Sequence, residues 1–268
     1  MATDPAVVFV HGMRTSSAIW GRQVDHVHRL GYDAAAVDLP AHGEHRDERF
    51  TLERAFDVID DAVGSFGADQ PVALVGLSLG GYTALAYAAR EATLPAGALG
   101  RPGRLAGVVA CACCSDPKGK PVALFRDVAR VTVSGATAAG NAARSMSTRW
   151  HARRSRHGLR SGGSDVAAVL GGAATVGPYR PGWDVVTDAL THLAGRSSVA
   201  DVRAVRVPVW LVNGSRDHLR LQEQRHLAAA YQGVLVVVPG AGHDVNTDAP
   251  EAFNEVLTRA LRDFSHHG

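Results

Sequence analysis

Short β-branched runs alternate with longer helix-like segments, and this alternation constrains the fold more than any other feature of the chain. The apolar runs fall at residues 6–10, 34–39, 71–76, 105–113, 207–212 and 234–238. Strands that alternate with helices usually pair in parallel, because each helix carries the chain back to the same edge of the sheet. The sequence therefore predicts an α/β fold, a mostly parallel sheet of about six strands with helices on both faces.

One long segment, residues 116–200, interrupts this alternation. It is rich in Ala, Gly, Arg and Ser and contains several short helix-like stretches. Its length is far beyond that of an ordinary loop. We expect a single α/β domain over residues 1–268, with its core in 1–115 and 201–268 and a helical lid formed by 116–200.

The final helix is predicted at residues 250–264. Asp248 stands in the N-cap position and Glu251 follows three residues later, which is a capping-box arrangement. The apolar stripe expected to face the core contains Phe253, Val256, Leu257, Ala260, Leu261 and Phe264.

Composition and charge give no reason to expect nucleic acid or a membrane as the main partner. The chain has 268 residues and a formal net charge of only +2, which favours neither nucleic acid nor an anionic membrane as a partner. No apolar run approaches the ~20 residues of a membrane span, and the first residues lack the basic region of a signal peptide. The three cysteines, Cys111, Cys113 and Cys114, are too close together for a disulfide framework, and we expect buried thiols in a cytoplasmic protein that is a monomer or homodimer.

The run VALVGLSLGG at residues 72–81 contains the first candidate catalytic residue. Ser78 follows an apolar strand and precedes a helix, with Gly76 and Gly80 two residues to either side. A sharp strand-to-helix turn strains the serine backbone, and bulkier neighbours at the glycine positions would collide. We expect the glycines to clear space around an exposed, reactive hydroxyl.

A nucleophilic serine needs a base and an acid that orients the base. His243 follows the last predicted strand, in the glycine-flanked sequence PGAGHD, and Asp217 lies a few residues beyond the preceding strand. In parallel sheets, functional groups gather at the carboxyl ends of strands. The order Ser78, Asp217, His243 therefore predicts a triad of nucleophile, acid and base.

The loop after the first strand is expected to supply backbone N–H groups to an oxyanion. The amide of Met13 is one candidate donor, and the amide of Leu79, beside the serine, is the other. His11 is expected to brace this loop, although contact with the substrate remains an alternative. His42, after the second strand, is expected to support the same loop rather than take part in the chemistry.

The chain resembles the α/β-hydrolase family, in particular its lidded esterases and lactonases. The resemblance rests on VFVHGM, VDLPAHGEH, LVGLSLGGYTALAYA, VWLVNGSRDHL and PGAGHDVNTDAPEAFNEVL, and covers about residues 6–113 and 205–264. It implies that Ser78, Asp217 and His243 form the triad, with Met13 and Leu79 as oxyanion-hole donors and no metal or other cofactor. Many members have two further strands before the first one here, and we expect this sheet to lack them.

The implied reaction is hydrolysis of a carboxylic ester, lactone or thioester through an acyl-serine intermediate. A serine at position 78 differs from the aspartate used by the dehalogenase and epoxide-hydrolase branches of the family. The same triad could serve an acyltransferase or a carbon–carbon bond hydrolase. A ligand sensor that binds without turnover is a further alternative.

The predicted lid offers further candidates for substrate contact. Trp150, Tyr179 and Trp183 could face the substrate, or could simply pack against the core. Residues 149–160 contain five arginines and could receive an acidic substrate, or could form a solvated edge.

Overall fold

A parallel six-stranded sheet lies at the centre of the computed structural model, which describes residues 4–93, 104–118 and 182–267. The strands are β1 (Ala6–Val10), β2 (Ala34–Val37), β3 (Val72–Leu77), β4 (Leu105–Cys111), β5 (Val209–Gly214) and β6 (Gly233–Val238). They are arranged in the order β2-β1-β3-β4-β5-β6, and every pairing is parallel. The predicted fold class is confirmed.

Helices join the strands in turn. In the described residues they are α1 (Gly21–Arg29), α2 (Leu52–Gly64), α3 (Leu79–Thr93), α4 (Trp183–Ala194), α5 (Ser198–Ala204), α6 (Glu223–Ala229), α7 (Val245–Asp248) and α8 (Pro250–His267). Short 3-10 turns at Ser17–Trp20 and Gly43–His45 follow β1 and β2. Thr51 caps α2, because its hydroxyl accepts a hydrogen bond from the Arg54 amide at 3.1 Å.

The two faces of the sheet bury two separate apolar layers. Alternate residues of β1 point to opposite faces, so Val8 and Val10 join one layer while Val7 and Phe9 join the other. The first layer includes residues of α2, α3, α4 and α5, and the second includes Trp20 with residues of α1 and α8. All six residues of the predicted α8 stripe are buried in the second layer. This double burial explains why the strand sequences are almost continuously apolar.

The described residues belong to one compact unit, formed by Met1–Val122 and Arg180–Gly268. Of the predicted lid, residues 116–118 and 182–200 are described. Val185, Ala189 and Leu193 of α4 lie in the same buried layer as β3 and β4. No helix in the described ranges has the length and apolar character to cross a membrane.

Candidate active site

Ser78 occupies a strained turn between β3 and α3. Its φ angle is +53°, in the left-handed region that residues other than glycine rarely adopt. The Ser78 amide donates to the Cys111 carbonyl at the end of β4 at 2.8 Å, which holds the turn against the neighbouring strand. Ser78 immediately precedes Leu79, the first residue of the 15-residue helix α3, so its hydroxyl lies near the positive end of the helix dipole.

The glycines around Ser78 permit close backbone contacts, as the sequence predicts. A Cβ atom at Gly76 would lie 2.3 Å from the Gly80 carbonyl oxygen, and one at Gly80 would lie 2.2 Å from the Val10 carbonyl oxygen. Both distances are far below van der Waals contact. Gly76 and Gly80 thus allow α3 to begin directly against β3 and the end of β1.

The structure brings Ser78, His243 and Asp217 together. His243 Nε2 lies 2.9 Å from Ser78 Oγ, and His243 Nδ1 lies 3.1 Å from both carboxylate oxygens of Asp217. Asp217 is buried and also accepts a hydrogen bond from the Leu219 amide at 2.9 Å. Because an ionised carboxylate can only accept hydrogen bonds, His243 Nδ1 must carry the ring proton. The opposite nitrogen, Nε2, then has a lone pair that can accept a hydrogen bond from the serine hydroxyl.

Local charge makes His243 more basic than an ordinary histidine. Burial acts to lower the pKa of His243, but the hydrogen bond and charge of Asp217 oppose this effect. Together with the charges of Asp244 and Asp248, they leave the pKa of His243 above its ordinary value of 6.5. An imidazole with these partners readily accepts a proton from a nearby hydroxyl.

The prediction that Asp248 caps the last helix is wrong. Asp248 is instead the last residue of α7, and its Oδ2 accepts a hydrogen bond from the Gly242 amide at 2.7 Å. The Gly242 amide immediately precedes His243, so the loop that carries this imidazole takes the carboxylate that a helix cap would have used. The sequence signal for this contact was that Asp244 and Asp248 both lie within five residues of His243.

The two proposed oxyanion donors lie on adjacent loops beside Ser78. A Cβ atom at Gly12 would lie 3.5 Å from Ser78 Cβ, so the loop that contains Met13 runs next to the serine. Leu79 is the first residue of α3, where backbone N–H groups have no partner within the helix. Neither the Met13 nor the Leu79 amide donates a hydrogen bond to another group among the described residues.

His11 and His42 are buried and bind the loops after β1 and β2 to each other. The Leu39 amide donates to His11 Nε2 at 2.9 Å, and the Arg14 amide donates to His42 Nε2 at 3.0 Å. Burial lowers the pKa of His11 to about 3, and it also lowers that of His42. These contacts match the bracing role expected for both residues.

Asp38, in the same turn as His42, also joins these two loops. Its carboxylate accepts from the Ser17 amide at 2.6 Å and from the Glu44 amide at 3.0 Å. A Cβ atom at Gly43, where φ is +47°, would overlap the Asp38 carboxylate. The glycine five residues after Asp38 was therefore a usable sequence signal that the Asp38 carboxylate packs against the backbone of the same turn.

The remaining predicted site residues belong to the lid. Trp150, Tyr179 and the arginine-rich segment 149–160 lie outside the described residues. Trp183 begins α4, but its side chain is likewise outside the described part of the chain.

A second serine–histidine contact lies between α5 and α6. Ser198 Oγ is 2.8 Å from His226 Nε2, while His226 Nδ1 is 2.9 Å from the Gln222 carbonyl oxygen. Both residues are buried, with 3% of Ser198 and 0% of His226 exposed to solvent. The Ser198 amide donates to Asp116, so this pair is part of a buried polar contact between helices.

Comparison with known proteins identifies relatives across almost the whole chain. The model of the alpha/beta hydrolase family matches residues 7–256. A rice protein (Oryza sativa subsp. indica) named probable esterase PIR7A is 34% identical over 116 residues, which are 42% of this chain and 40% of the relative. The matched segment thus spans less than half the length of that relative.

Solved structures show the same fold. The enol-lactonase from Burkholderia xenovorans LB400 aligns over 98% of this chain and 91% of its own, with a TM-score of 0.65 and 17% identity. A thermophilic esterase from Thermogutta terrifontis aligns over 100% of this chain and 92% of its own, with a TM-score of 0.64 and 24% identity. At these identities the likeness extends to the architecture alone.

Proposed function

We propose that this chain, which belongs to the alpha/beta hydrolase family, is a serine hydrolase that cleaves a carboxylic ester, lactone or thioester of a small molecule. Ser78 is the nucleophile, His243 the general base and Asp217 the acid that orients the base. One observation carries the proposal: His243 Nε2 lies 2.9 Å from Ser78 Oγ while the opposite ring nitrogen contacts the Asp217 carboxylate.

The first half of the reaction acylates Ser78. His243 Nε2 accepts the hydroxyl proton as Oγ attacks the acyl carbonyl carbon, and the carbonyl oxygen becomes a tetrahedral oxyanion. The imidazolium donates that proton to the departing alcohol or thiol as the carbon–leaving-group bond breaks. Asp217 stabilises the imidazolium in this step and keeps the ring in one tautomer.

The oxyanion is stabilised by backbone N–H groups of Met13 and Leu79. Their position beside Ser78, and the lack of other acceptors for them among the described residues, support this assignment. The positive end of α3 adds to the same stabilisation. Donors held in place before the reaction are the largest single source of rate enhancement in many acyl-transfer enzymes.

The second half of the reaction returns the enzyme to its starting state. Water donates a proton to His243 Nε2 and its oxygen attacks the acyl carbon, so that a second oxyanion forms. When this intermediate breaks down, the carboxylic acid leaves and Ser78 Oγ recovers its proton from His243. Every proton transfer uses a group of the protein, the substrate or water.

Residues 116–200 are proposed to contribute a lid over the substrate, with the cytoplasm as the site of action. Buried, unpaired thiols at Cys111, Cys113 and Cys114 suit a reducing compartment.

Hydrolysis of p-nitrophenyl esters and simple lactones by matched serine variants tests the proposal. We expect Ser78→Ala to lower kcat/KM by about 10⁴- to 10⁶-fold, as in enzymes that lose their nucleophile. Ser198→Ala is the matched control, because its hydroxyl also lies within hydrogen-bond distance of a histidine. This control should keep its activity to within a few-fold.

Two results would contradict the proposal. Activity in folded Ser78→Ala close to that of the wild type would remove Ser78 from the chemistry. A wild-type protein that binds esters and lactones but turns over none of them would favour the ligand-sensor alternative.

A further inference from the structure

The peptide group between Gly12 and Met13 is held from its carbonyl side. The Thr15 hydroxyl donates to the Gly12 carbonyl oxygen at 2.8 Å, and His11 Nδ1 lies 2.7 Å from the same oxygen. Because a peptide group is planar and trans, its C=O and N–H bonds point in opposite directions. Fixing the Gly12 oxygen therefore also fixes the direction of the Met13 N–H bond.

The next residue is held from the loop after β2. The Arg14 amide donates to His42 Nε2 at 3.0 Å. Arg14 has a φ of +60°, a conformation that a residue other than glycine keeps only where its surroundings impose it. His42 thus supplies part of the constraint that maintains the turn just beyond Met13.

His42 is itself held in a neutral form that can accept this bond. Its Nδ1 lies 2.9 Å from the Pro40 carbonyl oxygen, so Nδ1 carries the proton and Nε2 presents a lone pair to Arg14. Burial lowers the pKa of His42, and the nearby Asp38 carboxylate offsets this only in part. The His11 ring, with its centroid 4.8 Å away, is itself neutral, because burial lowers its pKa to about 3.

We propose that Thr15 and His42 are positioning residues for the oxyanion hole, which together aim the Met13 N–H at the oxyanion formed on Ser78. The inference rests on the proposed function and goes beyond it by assigning two side chains that act through the backbone. Thr15 has a second effect, because a hydrogen bond to a peptide carbonyl polarises the group and strengthens its N–H as a donor. Neither residue exchanges a proton during the reaction.

Thr15 provides the gentler test, since it is only partly buried. Thr15→Val keeps the shape of the side chain but removes the donor, and we expect kcat to fall about tenfold with KM within threefold of the wild type. This loss is smaller than the ~10²- to 10³-fold cost of deleting an oxyanion donor outright. Thr15→Ser, which restores the hydroxyl, should recover most of the lost kcat.

Thr93→Val is the matched control for the threonine. The Thr93 hydroxyl donates to the Arg90 carbonyl at the far end of α3, at 2.9 Å, so its loss removes the same type of bond away from Ser78. Its kcat should stay within twofold of the wild type.

His42 provides the larger effect. His42→Leu removes the acceptor for the Arg14 amide, and we expect kcat to fall about 10- to 100-fold, between a displaced and a deleted oxyanion donor. His42→Gln places a carbonyl oxygen within reach of the same amide and should recover part of the loss. His45→Gln is the control, because the His45 side chain contacts Glu48 and does not contact the Met13 or Arg14 amide.

A transition-state analogue separates positioning from general stability. The inhibition constant of a trifluoromethyl ketone, which forms an oxyanion on the serine, should rise in the Thr15 and His42 variants in proportion to the fall in kcat/KM. An unchanged kcat in Thr15→Val, or a change in KM alone, would overturn the inference, and Thr15→Val decides the matter even if His42→Leu does not fold. Loss of activity in Ser78→Ala alongside a fully active Thr15→Val would reject the inference while leaving the proposed function intact.

Discussion

The described part of the chain contains two serine–histidine pairs with almost the same spacing and very different surroundings. Ser78 Oγ lies 2.9 Å from His243 Nε2, and Ser198 Oγ lies 2.8 Å from His226 Nε2. The distance alone would rank the second pair as the better candidate. The pairs differ instead in the group behind each histidine and in the backbone that carries each serine.

The groups behind the two histidines differ in charge. His243 Nδ1 faces the Asp217 carboxylate, which stabilises an imidazolium, whereas His226 Nδ1 faces the neutral Gln222 carbonyl. A carbonyl can fix the tautomer of an imidazole but adds no negative charge to favour its protonated form. We therefore expect His243, which has a carboxylate behind its ring, to act as the general base.

The backbone decides whether the serine can meet a substrate. Ser78 is partly exposed in a left-handed turn at the start of a 15-residue helix, while Ser198 is buried in the first turn of a seven-residue helix. A buried hydroxyl with a satisfied hydrogen bond stabilises the packing of helices and has no route to a substrate. We therefore expect charge and access, in addition to distance, to distinguish a nucleophilic serine from a structural one.

Exchange of each histidine should give the largest contrast between the pairs. His243→Ala removes the proposed base, and we expect kcat/KM for a p-nitrophenyl ester to fall about 10⁴- to 10⁶-fold with little change in stability. His226→Ala should instead lower the free energy of unfolding by about 1–3 kcal/mol, because it leaves buried polar groups without a partner. Steady-state kinetics and urea denaturation of both variants measure the two effects. An equal fall in kcat/KM in the two variants would contradict the different roles assigned to the two histidines.

Replacement of the aspartate that contacts each pair, Asp217 at His243 and Asp116 at the Ser198 amide, should give the next largest effect. Asp217→Asn keeps the shape of the side chain but favours the wrong imidazole tautomer, so kcat should fall by about 10⁴-fold. Asp116→Asn, the corresponding change beside Ser198, should leave kcat within a few-fold of the wild type. A mild effect at Asp217 would mean that His243 does not depend on its carboxylate.

The pH dependence of kcat/KM should report the raised pKa of His243. The base must be neutral, so activity should fall about tenfold per pH unit below that pKa, with a midpoint above 6.5. Asp244→Asn removes one of the charges that raise this pKa and should move the midpoint to lower pH. His226→Gln should leave it in place, and a wild-type midpoint below 6.5 would contradict the charge environment described for His243.

Glycine substitutions should give the smallest effect, with opposite signs at the two serines. At Ser78 the φ of +53° penalises any side chain, so Ser78→Gly should be about 1 kcal/mol more stable than Ser78→Ala. At Ser198, within a helix, Ser198→Gly should be about 0.5–1 kcal/mol less stable than Ser198→Ala. Thermal unfolding of the four variants measures both differences in stability. If the Gly variant were less stable than the Ala variant at both sites, the backbone strain assigned to Ser78 would be refuted.

The parts of the molecule that follow local rules could be predicted from the sequence. Alternating apolar runs indicated six parallel strands, and the glycines around Ser78 indicated a turn without room for side chains. The ends of elements were less predictable, because the pairing of neighbouring strands determines them. β5, predicted at residues 207–212, instead runs over Val209–Gly214 and pairs with β6 along its whole length.

Contacts between distant segments had weaker signals or none. β4 lies between the strand that precedes Ser78 and the strand that precedes Asp217, an order that periodicity does not determine. The Ser198–His226 pair belongs to no recognisable motif, because it depends on how two helices pack. Asp248 has a strong local capping pattern, yet the Gly242 amide takes its carboxylate through tertiary structure.

Covalent trapping of the acyl-enzyme identifies directly the residue that attacks the substrate. Wild-type and Ser198→Ala proteins would be mixed with excess p-nitrophenyl ester, stopped in acid within the first turnovers, digested and analysed by mass spectrometry. We expect an added acyl group on the peptide that contains Ser78 in both proteins, and no such adduct at that position in Ser78→Ala. An acyl group on another residue, or ester turnover that persists in Ser78→Ala, would contradict the proposal.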